Sequence, residues 1–271
     1  MKILSKFYMF LIFAILYAPI AVLIIFSFNE AGSLSEFSGF SFVWYEELFG
    51  DEEAINALKN SLILAISSSL IATVIATFGA LGLHHMRKKY IKASITSVTN
   101  IPMMNPDIVT GISMMLLFVA VAKMAQSESI LGFGTMLIAH VTFNLPYVLL
   151  SIMPRFNQLD RSLSEAAQDL GCTPARAFFT VELPQIVPGI ISGMMLGFTL
   201  SLDDFVISHF VNSPNFQTLP LYVYNQTVHN VKFSMYALSA LIVFIILAIL
   251  LVVNFSSVKK QPKKRLGAVN R

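Results

Sequence analysis

Asp203 and Asp204 stand side by side in the apolar run "GFTLSLDDFVISHF", residues 197–210. A carboxylate at bilayer depth costs at least ~2.5–3.5 kcal/mol on insertion scales, so a pair of them calls for a partner. On one continuous helix the two side chains diverge by about 100°. The Asp204 face then carries Gly193, Gly197, Ser201 and Ser208, a small-xxx-small stripe that admits a close helix neighbour. Asp203 faces elsewhere, with Thr199 four residues before it. One acid lining a path and the other making a structural hydrogen bond are both open. A third carboxylate, Asp107, sits in "NPD", which reads as a helix start with Asn105 as N-cap and Pro106 at N1. With Pro102 close by, the backbone there is expected to break at depth, which is tolerated only inside protein or along a cavity. No Lys or Arg lies within an apolar segment, so these acids favour a cationic partner: a proton, a metal ion, an amine or another subunit's Arg.

The surroundings explain why depth is the issue. Of 271 residues, 56% are hydrophobic and 12% charged, with a mean hydropathy of +0.72, whereas a soluble domain carries about 25% charged residues. The expected fold is an all-α membrane protein with six spans in one helical membrane domain over 1–271. The spans fall near 7–28, 60–83, 93–123 (broken), 133–153, 188–209 and 234–255, each close to the roughly 20 residues that cross a bilayer. The first has too long an apolar core for a signal peptide and is read as a retained span. All but three of the 18 Lys and Arg residues fall at the N-terminus, in 84–92, in 154–187 or in the tail 256–271. The exceptions are Lys59, Lys123 and Lys232. The positive-inside rule therefore makes both termini cytoplasmic. The single cysteine, Cys172, excludes an internal disulfide framework, and the five His show no ligand spacing. No G-x-x-x-x-G-K-[ST] occurs, so this chain has no P-loop for ATP.

The longest cytoplasmic loop reads "SLSEAAQDLGCTPARAFFTVELPQIVP". Ser162 and Glu165 have capping-box spacing. Leu163, Ala166, Ala167 and Leu170 share one face. Gly171 suits a left-handed stop, Thr173 and Pro174 suit N-cap and N1, and Pro184 is expected to end the second helix. The apolar face fits either a protein partner or the molecule's own spans.

Glu165, Ala166, Ala167, Gly171, Leu183 and Pro184 resemble the EAA loop of bacterial ABC-importer permeases, with Val181 where Ile is usual. "NPDIVTGISMMLLF" and "FTLSLDDFVISHFVNSP" resemble the permeases of spermidine/putrescine importers in particular. The resemblance implies a non-enzymatic membrane subunit in the bacterial inner membrane. Its expected partners are a homologous second permease, two ATPase subunits holding the ATP-Mg, an external binding protein and a polyamine. No cofactor or metal is expected in this chain, and no nucleic acid. It assigns ATPase coupling to Glu165, Ala166, Ala167, Leu170 and Gly171. Polyamines also suit the acids, because each ammonium needs a carboxylate or a π face. The expected substrate pathway comprises Asp203, Asp204, Asp107, Ser201 and Trp44, although Trp44 equally fits an interfacial anchor. The rival readings are a proton-coupled transporter of a small cation and an ABC permease for another substrate.

Overall fold

The computed structural model describes residues 2–32, 36–126, 131–213, 216–229 and 232–258. The basic tail "KKQPKKR" lies outside them. The described residues form helices joined by turns and irregular loops, with two isolated bridges, Asn29–Phe40 and Ser213–Phe216. They divide into two compact units, one from Met1–Glu52 with Gln226–Arg271 and the other Glu53–Asn225. Five helical stretches among the described residues are long and apolar enough to cross a bilayer: Ser5–Phe26, Glu52–His85, Asp107–Met124, Phe133–Asn157 and Pro174–Leu202. Each overlaps one of the first five expected spans, though the third covers only the second half of 93–123 and the fifth begins 14 residues before 188.

The first unit holds α1 (Lys2–Phe26), α2 (Val43–Gly50) and α12 (Ser234–Val258). Helix α12 is helical over 25 residues where the sixth span is expected. Phe7, Phe10, Ile15 and Leu16 on α1 are all more than half exposed, as befits a helix apolar on every side. The loop after α1 is tied by the fully buried Asn29. Its Nδ2 donates to Glu36 O at 2.7 Å, and its Oδ1 accepts from Ser38 N at 3.0 Å.

The second unit holds α3 (Glu52–His85), α4 (Lys89–Met104), α5 (Asp107–Met124), α6 (Phe133–Asn157), α7 (Arg161–Asp169), α8 (Pro174–Ala177), α9 (Leu183–Leu202), α10 (Val206–Val211) and the start of α11 (Leu219–His229). Its main core joins Ala72, Ala76 and Ala80 of α3 to Val148, Ile152 and Phe156 of α6 and to Ile186 of α9. Gly189, Gly193 and Gly197 form the face of α9 that meets α6. A Cβ on Gly193 would stand 3.0 Å from Val148 Cγ1 and 3.2 Å from the Val148 carbonyl oxygen. The small-residue stripe therefore does what its spacing predicts and lets two backbones approach. Its lower end is Gly189, against Arg155 and Ser151.

Three local expectations change. The third span is indeed broken, but Asn105 does not cap α5. It ends α4 in an extended conformation, φ −83° and ψ 143°, because a residue before proline is driven out of the helical region. Pro106 occupies the N-cap without a side-chain bond.

The fifth span is not one continuous helix. It stops at Leu202 and restarts at Val206.

Nor does Pro184 end a helix. Helix α8 runs through a π-helical turn, Phe178–Glu182, directly into α9. In a regular α-helix the proline ring would strike the carbonyl four residues back. The π turn, in which Leu183 N donates to Phe178 O, shifts that register and places Pro184 in the first turn of α9.

Val at position 193 adds a branched side chain where even a Cβ is tight. Overpacking costs about 1–3 kcal/mol. Gly193→Val is expected to lower the unfolding midpoint of the detergent-purified chain, whereas Gly82→Ala, where nothing lies within 4 Å of a new Cβ, leaves it at or above wild type.

Candidate functional site

The interruption between α9 and α10 organises the site. Asp203 caps the end of α9 near the helical region, φ −92° and ψ −2°, with its N–H bonded to Thr199 O at 3.1 Å. Its side chain is exposed. Asp204 turns inward and is 9% exposed. Its Oδ1 accepts from Ile207 N at 3.2 Å and its Oδ2 from Ser208 N at 2.8 Å. The carboxylate thus satisfies the first free N–H groups of α10 and meets the positive end of its dipoles.

A buried polar chain runs into the same carboxylate. Asn144 Nδ2 donates to Ser68 Oγ at 3.4 Å, and Ser68 donates to Ser201 Oγ at 2.9 Å. Ser201 Oγ lies 2.7 Å from His140 Nδ1. Nε2 lies 3.2 Å from Ser208 Oγ and 3.5 Å from Asp204 Oδ2. Ser68, His140, Asn144 and Ser208 are completely buried, and Ser201 nearly so. Linked in this way, buried hydrogen bonds polarise one another.

The expected site residues therefore take different places. Ser201 and Asp204 come together through His140. Asp203 is their neighbour in sequence but faces away. Asp107 is exposed in the first turn of α5, its charge within reach of Tyr147. Beside it, the α4–α5 break borders a groove of about 170 Å³ lined by Pro102, Asn105, Thr110, Ser113 and Thr142. The irregular backbone between α4 and α5 thus borders a groove. Trp44, in the first unit, is half-buried. Its Nε1 donates to Asn29 O at 2.6 Å, and its ring packs on Phe233 with centroids 5.3 Å apart.

Composition-based reading overlooked His140 and Ser68. It sought a cation for the acids among Lys and Arg only, but an imidazole already stands beside Asp204. The signal was present: any ionisable residue inside an apolar span is a functional candidate by default, and His140 sits eight residues into one.

In the loop between α6 and α9, Asp160 rather than Ser162 caps α7, with Oδ1 accepting from Ser162 N at 3.0 Å. The hydrogen bonds from the Ser162 backbone and side chain hold the Asp160 carboxyl below its ordinary range. Gly171 adopts φ +89°. Cys172 N–H to Ala167 O (3.1 Å) and Gly171 N–H to Gln168 O (2.9 Å) complete a Schellman stop. Thr173 then caps α8, accepting from Arg176 N at 3.3 Å. Glu165 and Ala166 are exposed, and Leu170 is 88% exposed. The apolar face of the elbow is not consumed by the chain's own core.

An all-helical chain with paired small-residue contacts, a broken span and an exposed helical elbow has the fold of an importer permease. The model of the family "binding-protein-dependent transport system inner membrane component" matches residues 72–263, and the chain belongs to that family. The chain is 40% identical over 230 residues to the putrescine transport system permease protein PotI of Escherichia coli, covering 85% of this chain and 82% of that one. It is 36% identical over 242 residues to the spermidine/putrescine transport system permease protein PotC of Haemophilus influenzae, covering 89% and 91%. Among solved structures, a bacterial ABC transporter involved in import of the acidic polysaccharide alginate matches with a TM-score of 0.74 at 16% identity, over 96% of this chain and 95% of that chain. At that identity the likeness concerns the fold. Membership of this family makes the chain a membrane component of a transport system and not an enzyme.

Two outcomes follow from this geometry. His140→Phe keeps bulk but removes both ring nitrogens, leaving Ser201 and Asp204 short of a partner. It is expected to cost about 1–3 kcal/mol, read as a lower unfolding midpoint, with Asp204→Ala no worse on the His140→Phe background than on the wild type.

For Asp160, the lowered pKa means the capped state is stabilised above the ordinary carboxylate pKa. That contribution is lost as pH falls through the depressed value. Hydrogen exchange at residues 162–165 should therefore lose protection on acidification, and Asp160→Asn should remove the pH dependence.

Proposed function

We propose that this chain is the permease subunit of an ATP-driven importer of polyamines, spermidine or putrescine. It crosses the bacterial inner membrane six times with both termini in the cytoplasm. The observation that carries the substrate class is the relatedness to putrescine and spermidine/putrescine permeases along nearly the whole chain. The chemistry agrees. An exposed carboxylate at a helix interruption, with a second at the α4–α5 break, offers charge-assisted bonds to passing ammonium groups.

Asp203, Asp107 and Trp44 are the groups offered to cargo. Asp204 and Ser201 hold the interruption open from behind. The elbow of Glu165, Ala166, Ala167, Leu170 and Gly171 docks on a separate ATPase, which carries the ATP-Mg this chain has no P-loop to hold. A second permease, a second ATPase copy and an external binding protein complete the assembly. The alginate relative, reported in complex with a substrate-bound periplasmic protein, supports that last partner.

Uptake of labelled spermidine and putrescine, measured across concentrations and normalised to assembled complex, tests this reading. Loss of a charge-assisted bond is worth roughly 1.5–3 kcal/mol. Asp203→Asn is expected to raise the half-saturation by about 10- to 150-fold. Asp204→Asn is expected to reduce the amount of assembled complex more than the half-saturation. Unchanged half-saturation and maximal rate in both Asp203→Asn and Asp107→Asn would overturn the substrate assignment.

A further inference from the structure

A polar cavity of about 240 Å³ opens between the cytoplasmic end of α3, the start of α7 and the π turn. It is a separate place from the α9–α10 interruption. Glu182 lies at its back, and its side chain is 9% exposed. Its Oε1 faces His85 Nε2 at 3.9 Å, beyond hydrogen-bond length. Its Oε2 is buried with no hydrogen-bond partner among the described residues. A buried carboxylate oxygen left bare is among the costliest states a side chain can hold. Asp160 and Glu165 also line the cavity, against one guanidinium, Arg87. The three lining carboxylates, Asp160, Glu165 and Glu182, outnumber the single guanidinium. Gln168 adds an amide to the wall. The volume is that of several waters, at about 30 Å³ each.

We propose that this cavity is a cytoplasmic binding site for a small organic cation with a free ammonium group, which donates to the Glu182 carboxylate through Oε1, the oxygen on the His85 side, and lies between Glu165 and Asp160. An occupant would bridge the end of α3 to α7 and so stiffen the elbow. Because the π turn that carries Glu182 leads directly into α9, occupancy at the elbow is felt at the head of a membrane-crossing helix. The proposal does not rest on the cargo assignment.

The test uses the full-length chain in detergent, with methylammonium chloride as probe and tetramethylammonium chloride, which has no N–H, holding ionic strength constant. A ligand that binds only the folded state raises the unfolding midpoint with its concentration. Wild type is expected to show a saturable rise. Glu182→Gln, which keeps the shape, is expected to abolish it, and Asp203→Asn is expected to retain it. Glu165→Gln, at an exposed position, is expected to raise the half-saturation about tenfold, and this measurement decides the matter should Glu182→Gln fail to fold. No rise in wild type beyond that in tetramethylammonium alone overturns the proposal. So does an equal rise in Glu182→Gln, a loss of the rise in Asp203→Asn, or an unchanged half-saturation in Glu165→Gln.

Discussion

The second unit is arranged around the need to give one inward-turned carboxylate its donors. Asp204 cannot be solvated where it lies, and an unpaired charge there would cost more than most single contacts return. Two backbone N–H groups solve most of the problem, but only if a helix begins at the right place. The chain therefore ends α9 one turn early and starts α10 at Val206. The interruption is the consequence of satisfying Asp204, and it exposes Asp203 on the opposite side.

That solution requires the helices to be close. His140 reaches Ser201 and Ser208 only because α6 lies against the glycine face of α9 and against α10. The buried face of α3, with Ser61, Ala65, Ser68, Ala72, Ala76 and Ala80 in helical register, supplies the third wall and the Ser68 hydroxyl. Small side chains and the polar chain are thus one device. The former bring backbones within reach, and the latter uses the space.

Much of this was legible in the sequence because hydrophobic length and small-residue spacing are strong, local signals. The spans, the break near Pro106, the close face of Gly193 and Gly197, and the left-handed Gly171 all rest on them. What was illegible depends on tertiary partners. Nothing near position 203 states that the helix stops there; the reason is the tie to Ser208 and the pull of His140, 64 residues upstream of Asp204. Asp160 displaced Ser162 as the cap because two residues only two positions apart were both competent and only geometry chooses. Pro184 misled because a π turn has no clear sequence mark and removes the clash on which proline's stopping power depends.

That π turn has a mechanical consequence. Because Pro184 does not break the chain's helical course, Pro174–Leu202 is a single rod of 29 residues, about 43 Å long at 1.5 Å per residue. A rod has no slack. Tilting it by about 5° at the elbow sweeps the far end through roughly 4 Å, by simple leverage on that length. The far end is Leu202, one residue before Asp203. A displacement small enough to leave every packed contact at the elbow intact is thus magnified, without any hinge, into a movement comparable to the width of an ammonium group.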